Sequence, residues 1–420
     1  MRSEGQIKRE NKAKRNIPEI GGFFSQQSIS DYLRENIRPE WNFLINGTGY
    51  NRECALFRRM EQLYSEESMY HRPIVMLTSE KSNVLNEFER AIAEKRVGFV
   101  RPFVKVAQDS PCYNPFLGLD ANAIEEAIAA IAEFYPTINI SNWNKNVFYA
   151  VCEILDKYGY VLSLDNLQKV FSKENEVIES MLRAEGKITQ AQSANRDGFS
   201  AIYPSLNQLY NEFRWISSDQ DRFSIISEVQ KRRQESKRMP FFGFVLSDSF
   251  RRDFMECLAI ELKEITKYCR PVLIIDSVAL NQTTQTRRTR FFEYVSNAAD
   301  LIINLSGEAC SSLIPEDTLS DFVKAKGFRM CLTKGSAATE ELTRIEVGVY
   351  DHIDINYSGG RVRGTFQVIS HDKNYGMGES IDHDRARIRG MDIRDMGENE
   401  AYFTYRENAA LVKGLIFDKN

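Results

Sequence analysis

A chain of 420 residues, 42% hydrophobic and 27% charged, has enough apolar material for a full core and reads as a soluble globular protein of one or two compact units. Its net charge of −4 excludes nucleic-acid binding by bulk electrostatics, and seven scattered cysteines without CxxC spacing argue against a disulfide framework or a zinc site. No apolar run approaches the roughly 18 residues of a membrane span, and the polar, basic amino terminus lacks the apolar centre of a secretory signal. The cytoplasm is the expected address.

In chain order, residues 1–25 read as a flexible basic arm, and SQQSISDYLRENI (25–37) predicts a short capped helix. In WNFLINGTGYNRECALF (41–57) an apolar run feeds a small-residue turn, and an amphipathic helix is expected from about Cys54. RPIVMLT (72–78) has the near-continuous apolar character of a buried parallel strand, VLNEFERAIAEK (84–95) has helical spacing, and VGFVRPFVKV (97–106) is extended. The βαβαβ order predicts an α/β fold with a mostly parallel, doubly wound sheet. Residues 118–234 are mainly helical in pattern and predict an inserted all-α domain, opening with an Asp cap in DANAIEEAIAAIAEFY. That leaves 26–117 and 235–420 for the α/β core. Strands return at FFGFVLSD (241–248), RPVLIIDS (270–277), DLIINLSG (300–307) and FRMCLTKGSA (328–337), followed by a terminal pair within EAYFTYRENAALVKGLIF (400–417). The glycine- and charge-rich stretch 370–390 reads as a mobile loop. The basic clusters QKRRQESKR (230–238) and TRRTR (286–290) are either solvated faces or contacts for nucleic acid or acidic lipid. Four histidines, with no third ligand evident near His383, give no expectation of a structural metal.

The turn at 46–53 is where chemistry would sit. A G-x-x-x-x-G-K-[ST] loop works because its glycines let backbone N–H groups face phosphates, its lysine neutralises β/γ oxygens, and its final hydroxyl ligates Mg²⁺. Here the eight positions are Asn46, Gly47, Thr48, Gly49, Tyr50, Asn51, Arg52 and Glu53. Asn46 and Asn51 replace glycines but tolerate left-handed backbone. Arg52 replaces the point-charge lysine with a planar fork. Glu53 replaces the hydroxyl, and a carboxylate about 4 Å from a phosphate repels it by about 4 kcal/mol at an effective dielectric of about 20. The second half of such a site is an apolar strand ending in a metal-side acid, usually followed by a glutamate that polarises water. VLIIDS supplies Asp276 as the Mg²⁺ acid, but Ser277 stands where the glutamate would be. Taken singly, NGTG suits any tight αβ turn and PVLIIDS any buried strand. Their order, with a helical block between them, favours reading them together.

On these motifs the chain resembles the conjugative coupling proteins of type IV secretion systems (TraG/TraD-like ATPases), relatives of the FtsK/HerA motors, over about 40–418. CYNPFLGLD (112–120) is similar to the segment that opens their all-α domain, RPVLIIDS looks like their second motif, and Met396 to Ala401 matches the turn of their terminal hairpin. The resemblance implies a RecA-like P-loop NTPase core with an all-α insert. It further implies ATP and Mg²⁺ as cofactors, ring-type homo- or hetero-oligomers, and secretion or conjugation machinery, with DNA, as partners. An arginine acting across a subunit boundary is also implied, with Arg287, Arg329 and Arg344 as candidates. Membrane docking would fall to a partner or to the basic arm. Three functions follow: a degenerate, non-hydrolysing adaptor or scaffold in substrate or DNA transfer; an active ATP-driven DNA translocase; or a protein-recognition module that uses the NTPase fold as scaffold.

Overall fold

A computed structural model describes residues 3–21, 29–95, 103–107, 113–135, 137–172, 176–187, 197–212, 223–246, 254–280, 283–306, 327–336, 340–359, 375–406 and 408–413. The helices are α1 Glu4–Arg15, α2 Ile29–Asn36, α3 Gly49–Ser65, α4 Val84–Ala93, α5 Ala121–Ala132, α6 Lys145–Lys157, α7 Leu164–Phe171, α8 Glu176–Ala184, α9 Asp197–Glu212, α10 Ile225–Gln234, α11 Phe254–Ile265, α12 Gln285–Ala298, α13 Glu340–Val347 and α14 Gly390–Arg394. The strands are β1 Glu19–Ile20, β2 Phe43–Gly47, β3 Ile74–Ser79, β4 Phe103–Val106, β5 Phe241–Leu246, β6 Val272–Asp276, β7 Asp300–Ser306, β8 Arg329–Thr333, β9 Val349–Gly359, β10 Tyr375–Ala386, β11 Glu400–Tyr405 and β12 Asn408–Lys413.

Ten strands form one sheet in the order β1-β12-β11-β8-β2-β7-β6-β3-β5-β4. From β8 to β4 every pairing is parallel, and β11 runs antiparallel to both β8 and β12. This is the mostly parallel, doubly wound sheet that the strand patterns predict. The apolar runs of β2, β3 and β6 are buried at every position, because helices cover both faces. Strand β7 lies between β2, which carries the glycine turn, and β6, which carries Asp276. The strand intervening between them places the two candidate motifs one strand apart in the sheet.

Helix α3 is anchored by a buried cation. Arg59 is fully enclosed and donates from Nη2 to the carbonyls of Arg38, Pro39 and Trp41, each at 3.0 Å, and from Nη1 to Gln62 Oε1. Gln62 in turn donates to the carbonyls of Leu33 and Ile37 at the end of α2. Burial pulls the Arg59 guanidinium down to about 9.

Helices α5 to α10 add no strand to the sheet. Where their segment meets the core, Tyr113 and Phe223 form a single parallel bridge, and the N–H of Asn114 donates to the Phe223 carbonyl at 2.7 Å. Glu261 of α11 holds both sides of this crossing. Its Oε1 accepts from the Ile226 N–H at 2.8 Å, in the first turn of α10, and its Oε2 accepts from the Tyr113 hydroxyl. Burial pushes the carboxyl up to about 7, against the bonds from Tyr113, Ile226, Ile225 and Ser224 that favour the ion.

Two expectations are corrected. The amino-terminal arm contains a helix: Ser3 and Gln6 form a capping box, and Asn16 closes α1 in the left-handed conformation. The helix is docked on β9, where the Asn11 amide bonds both the N–H and the carbonyl of Ile353 at 2.9 Å, while Arg15 pairs with Asp392 at 2.8 Å. The stretch 370–390, read as a loop, contains β10, an antiparallel partner to β9. Its alternating residues hid a strand whose apolar content is low because the ribbon stands apart from the main sheet.

Candidate nucleotide-type site

The candidate residues converge at the carboxyl ends of β2, β7 and β6, where ligands bind in open α/β sheets. Register places Ile45, Asn304 and Asp276 side by side across three strands. The eight positions 46–53 do not form a loop, however. Asn46 and Gly47 complete β2, Thr48 alone makes the turn, and Gly49 to Glu53 already belong to α3. A phosphate cradle needs several consecutive N–H groups on a curved, non-helical backbone. One residue of turn cannot supply it.

The turn is tied to another part of the chain. The Thr48 N–H donates to the Lys334 carbonyl at 3.1 Å, and the Thr48 hydroxyl reaches the same oxygen at 3.3 Å. Thr333 Oγ1 donates to the Asn46 carbonyl at 3.2 Å, and Ser336 donates to the Asn46 side chain. The fit depends on two glycines. A Cβ at Gly47 would lie 1.8 Å from Thr333 Oγ1, and one at Gly335, where φ is +74°, would lie 2.2 Å from Thr48 Oγ1. The segment after β8 therefore interlocks with the tip of β2.

Arg52 is 6% exposed, and its Nε and Nη1 have no hydrogen-bond partner among the described residues. Glu53 is half-buried. Burial raises its carboxyl, Arg52 opposes that shift, and Glu87 and Asp276 add to it, so the three expected chemical positions share one electrostatic neighbourhood. Asp276 is fully buried. Its Oδ2 accepts from Thr78 Oγ1 at 3.0 Å, and its Oδ1 from Asn304 Nδ2 at 3.4 Å. Ser277 is buried too, and its hydroxyl accepts from the Ser306 N–H at 3.0 Å.

Thr78, Asn304, Thr333 and Ser336 are the site residues that motif reading missed. Only Asn304 left a trace in the sequence, as a polar residue inside the otherwise apolar LIINL run. The residues present do not fit a Mg²⁺–triphosphate as arranged. The one turn N–H is engaged, the metal-side acid is sealed with both oxygens occupied, and a carboxylate stands at the hydroxyl position. The first N–H groups of α3 still face outward at the exposed Thr48–Tyr50 corner, which leaves a dipole that favours anions.

No protein-family model matches the chain, and no curated protein matches it. The chain is similar to the conjugative coupling protein TrwB. It matches the unbound monoclinic form of the bacterial conjugative coupling protein TrwBdeltaN70 with a TM-score of 0.48 and 10% identity, covering 100% of this chain and 93% of that one. The plasmid coupling protein TrwB in complex with ADP and Mg²⁺ matches with a TM-score of 0.45 and 10% identity, over 99% and 92% of the two chains. TrwB with a non-hydrolysable ATP analogue gives 0.45 and 11%, over 99% and 93%. Among the described residues, no helix is long and apolar enough to cross a membrane, and no group of three metal-ligating side chains occurs.

Proposed function

We propose that the chain is a TraG/TraD-type coupling-protein-like subunit of a type IV secretion or conjugative transfer system, in which the nucleotide site has become structural. It acts as a non-hydrolysing adaptor or scaffold. The single observation that carries this reading is the interlock of Thr48 with Lys334, which spends the turn's N–H on the chain's own carbonyl. The enclosure of Asp276 supports it, because a metal-side acid must reach a hydrated ion. The division into a core of 26–117 and 235–420 and an all-α insert of 118–234 is part of the proposal, with the insert as the surface that meets substrate or machinery proteins. Assembly into a ring belongs to the same reading.

A second reading, an ATP-driven DNA translocase, draws on Arg52, a buried cation with free donors beside a helix amino terminus. Steady-state hydrolysis of Mg²⁺–ATP, with and without added DNA, separates the two. The adaptor reading expects release of phosphate indistinguishable from that of the Arg52→Ala variant. Turnover that DNA stimulates and Arg52→Ala abolishes would establish the motor instead.

A further inference from the structure

A cavity of about 570 Å³ opens near the amino ends of β2 and β8, beside the β1-β12-β11 edge of the sheet. Its volume lies within the range of small-molecule sites, roughly 300–1,000 Å³. Its walls are mixed: Pro18, Ile20 of β1, Phe403 of β11 and Ala410 of β12 form an apolar part, and Asn16 and Asn408 a polar one. One cation lies on its floor. Arg329 is 7% exposed, with its guanidinium 3.8 Å from the Trp41 ring centroid and stacked also on Tyr405. Among the described residues the guanidinium makes no hydrogen bond and no ion pair. Trp41 and Tyr405 are themselves parallel to within 21° and hold the fork from its faces, which leaves its N–H edge for a ligand.

The surroundings add positive charge. Arg38 stacks on Trp41 at 5.6 Å and Arg406 on Tyr405 at 5.0 Å. Glu346 is the carboxylate that acts on Arg329, and burial and Arg406 outweigh it, drawing the guanidinium down to about 10. With Arg329 in its lining and Arg38 and Arg406 close by, set against Glu346, the cavity carries an excess of positive charge that favours an anion.

We propose that this cavity binds a small amphiphilic anion, a carboxylate or phosphate monoester whose head sits on Arg329 and whose apolar body lies along Pro18, Ile20, Phe403 and Ala410. The site is remote from Asp276 and goes beyond the adaptor reading, so it stands whether or not the chain binds nucleotide. The ligand is either a free metabolite or the head and first carbons of an anionic bilayer lipid, which offer the same chemistry.

Calorimetric titration of the full chain with decyl phosphate tests it, with decanol and inorganic phosphate as half-ligands. The expected result is decyl phosphate binding that weakens at least about tenfold in Arg329→Met, a loss of about 1.4 kcal/mol. Ala410→Leu, which fills the apolar end without touching the cation, weakens it similarly and decides the matter if the Arg329 variant does not fold. Either half-ligand binding as tightly as decyl phosphate overturns the proposal. So does undiminished binding to a folded Arg329→Met, or no heat up to about 1 mM ligand. Co-sedimentation with phosphatidylglycerol vesicles, competed by decyl phosphate, assigns a bilayer source. Decyl phosphate binding without vesicle capture assigns a free ligand.

Discussion

Glu261 should give this protein a pH dependence opposite in sign to that of an ordinary salt-bridged carboxylate. Its folded-state value is about 7 against a reference of 4.5, because the carboxyl is enclosed between α11 and α10. Between those two values the folded chain holds a proton that the unfolded chain has released. Stability from this group is therefore fully present below the unfolded value and is lost as pH rises through the folded one. The difference between those two values corresponds to about 3 kcal/mol, most of which disappears between pH 5 and 8. Glu261→Gln keeps an acceptor for the Ile226 N–H and carries no charge at any pH, so it resembles the protonated form. Urea unfolding followed by tryptophan fluorescence, run on both proteins from pH 5 to 8, isolates the contribution as a difference of slopes. The wild type should lose about 2 to 3 kcal/mol relative to the variant across that interval. Parallel curves would refute the reasoning, and would mean that Glu261 is already ionised at pH 5 and held by its four hydrogen-bond partners.

Three further perturbations read the supports of the candidate site. Arg59→Met should destabilise the chain by about 3–5 kcal/mol in chemical unfolding, since three carbonyls and Gln62 lose their buried donor. Thr78→Val should cost about 1 to 3 kcal/mol by leaving one oxygen of the buried Asp276 carboxyl without its donor, while the double variant with Asp276→Asn should recover much of the loss. Gly335→Ala should cost about 1 to 3 kcal/mol, through its positive φ and the clash with Thr48, and Thr48→Gly should partly rescue it.

Much of the architecture was legible. The strands around Phe43–Ile45, Ile74–Leu77, Val272–Ile275 and Leu301–Ile303 announce themselves as short apolar runs, because a parallel sheet covered on both faces demands them. The helices from Ala121 onward follow from spacing and caps, with Asp120 and Ser163 each accepting from an N–H in the first turn. The site was legible only as a set of positions. Glycine spacing suggested a loop, but helical backbone runs back to Gly49, five residues before the apolar stripe signals it. What decides the chemistry is the contact of Thr48 with Lys334 and of Thr78 with Asp276, across 286 and 198 residues of sequence. No local pattern encodes contacts that long. The amino-terminal arm was misread for a different reason. Its basic composition masked a helix whose anchors, the Asn11 amide on Ile353 and Arg15 on Asp392, reach residues far away in sequence.

The most direct test of the central claim is calorimetric titration of the purified chain with Mg²⁺–ATP and a non-hydrolysable analogue, repeated on Arg52→Ala. A closed turn predicts no saturable heat for either nucleotide into the high micromolar range, with the variant indistinguishable from the wild type. Micromolar binding that vanishes in Arg52→Ala would contradict the account, because the buried arginine would then be gripping phosphate in a site that had opened.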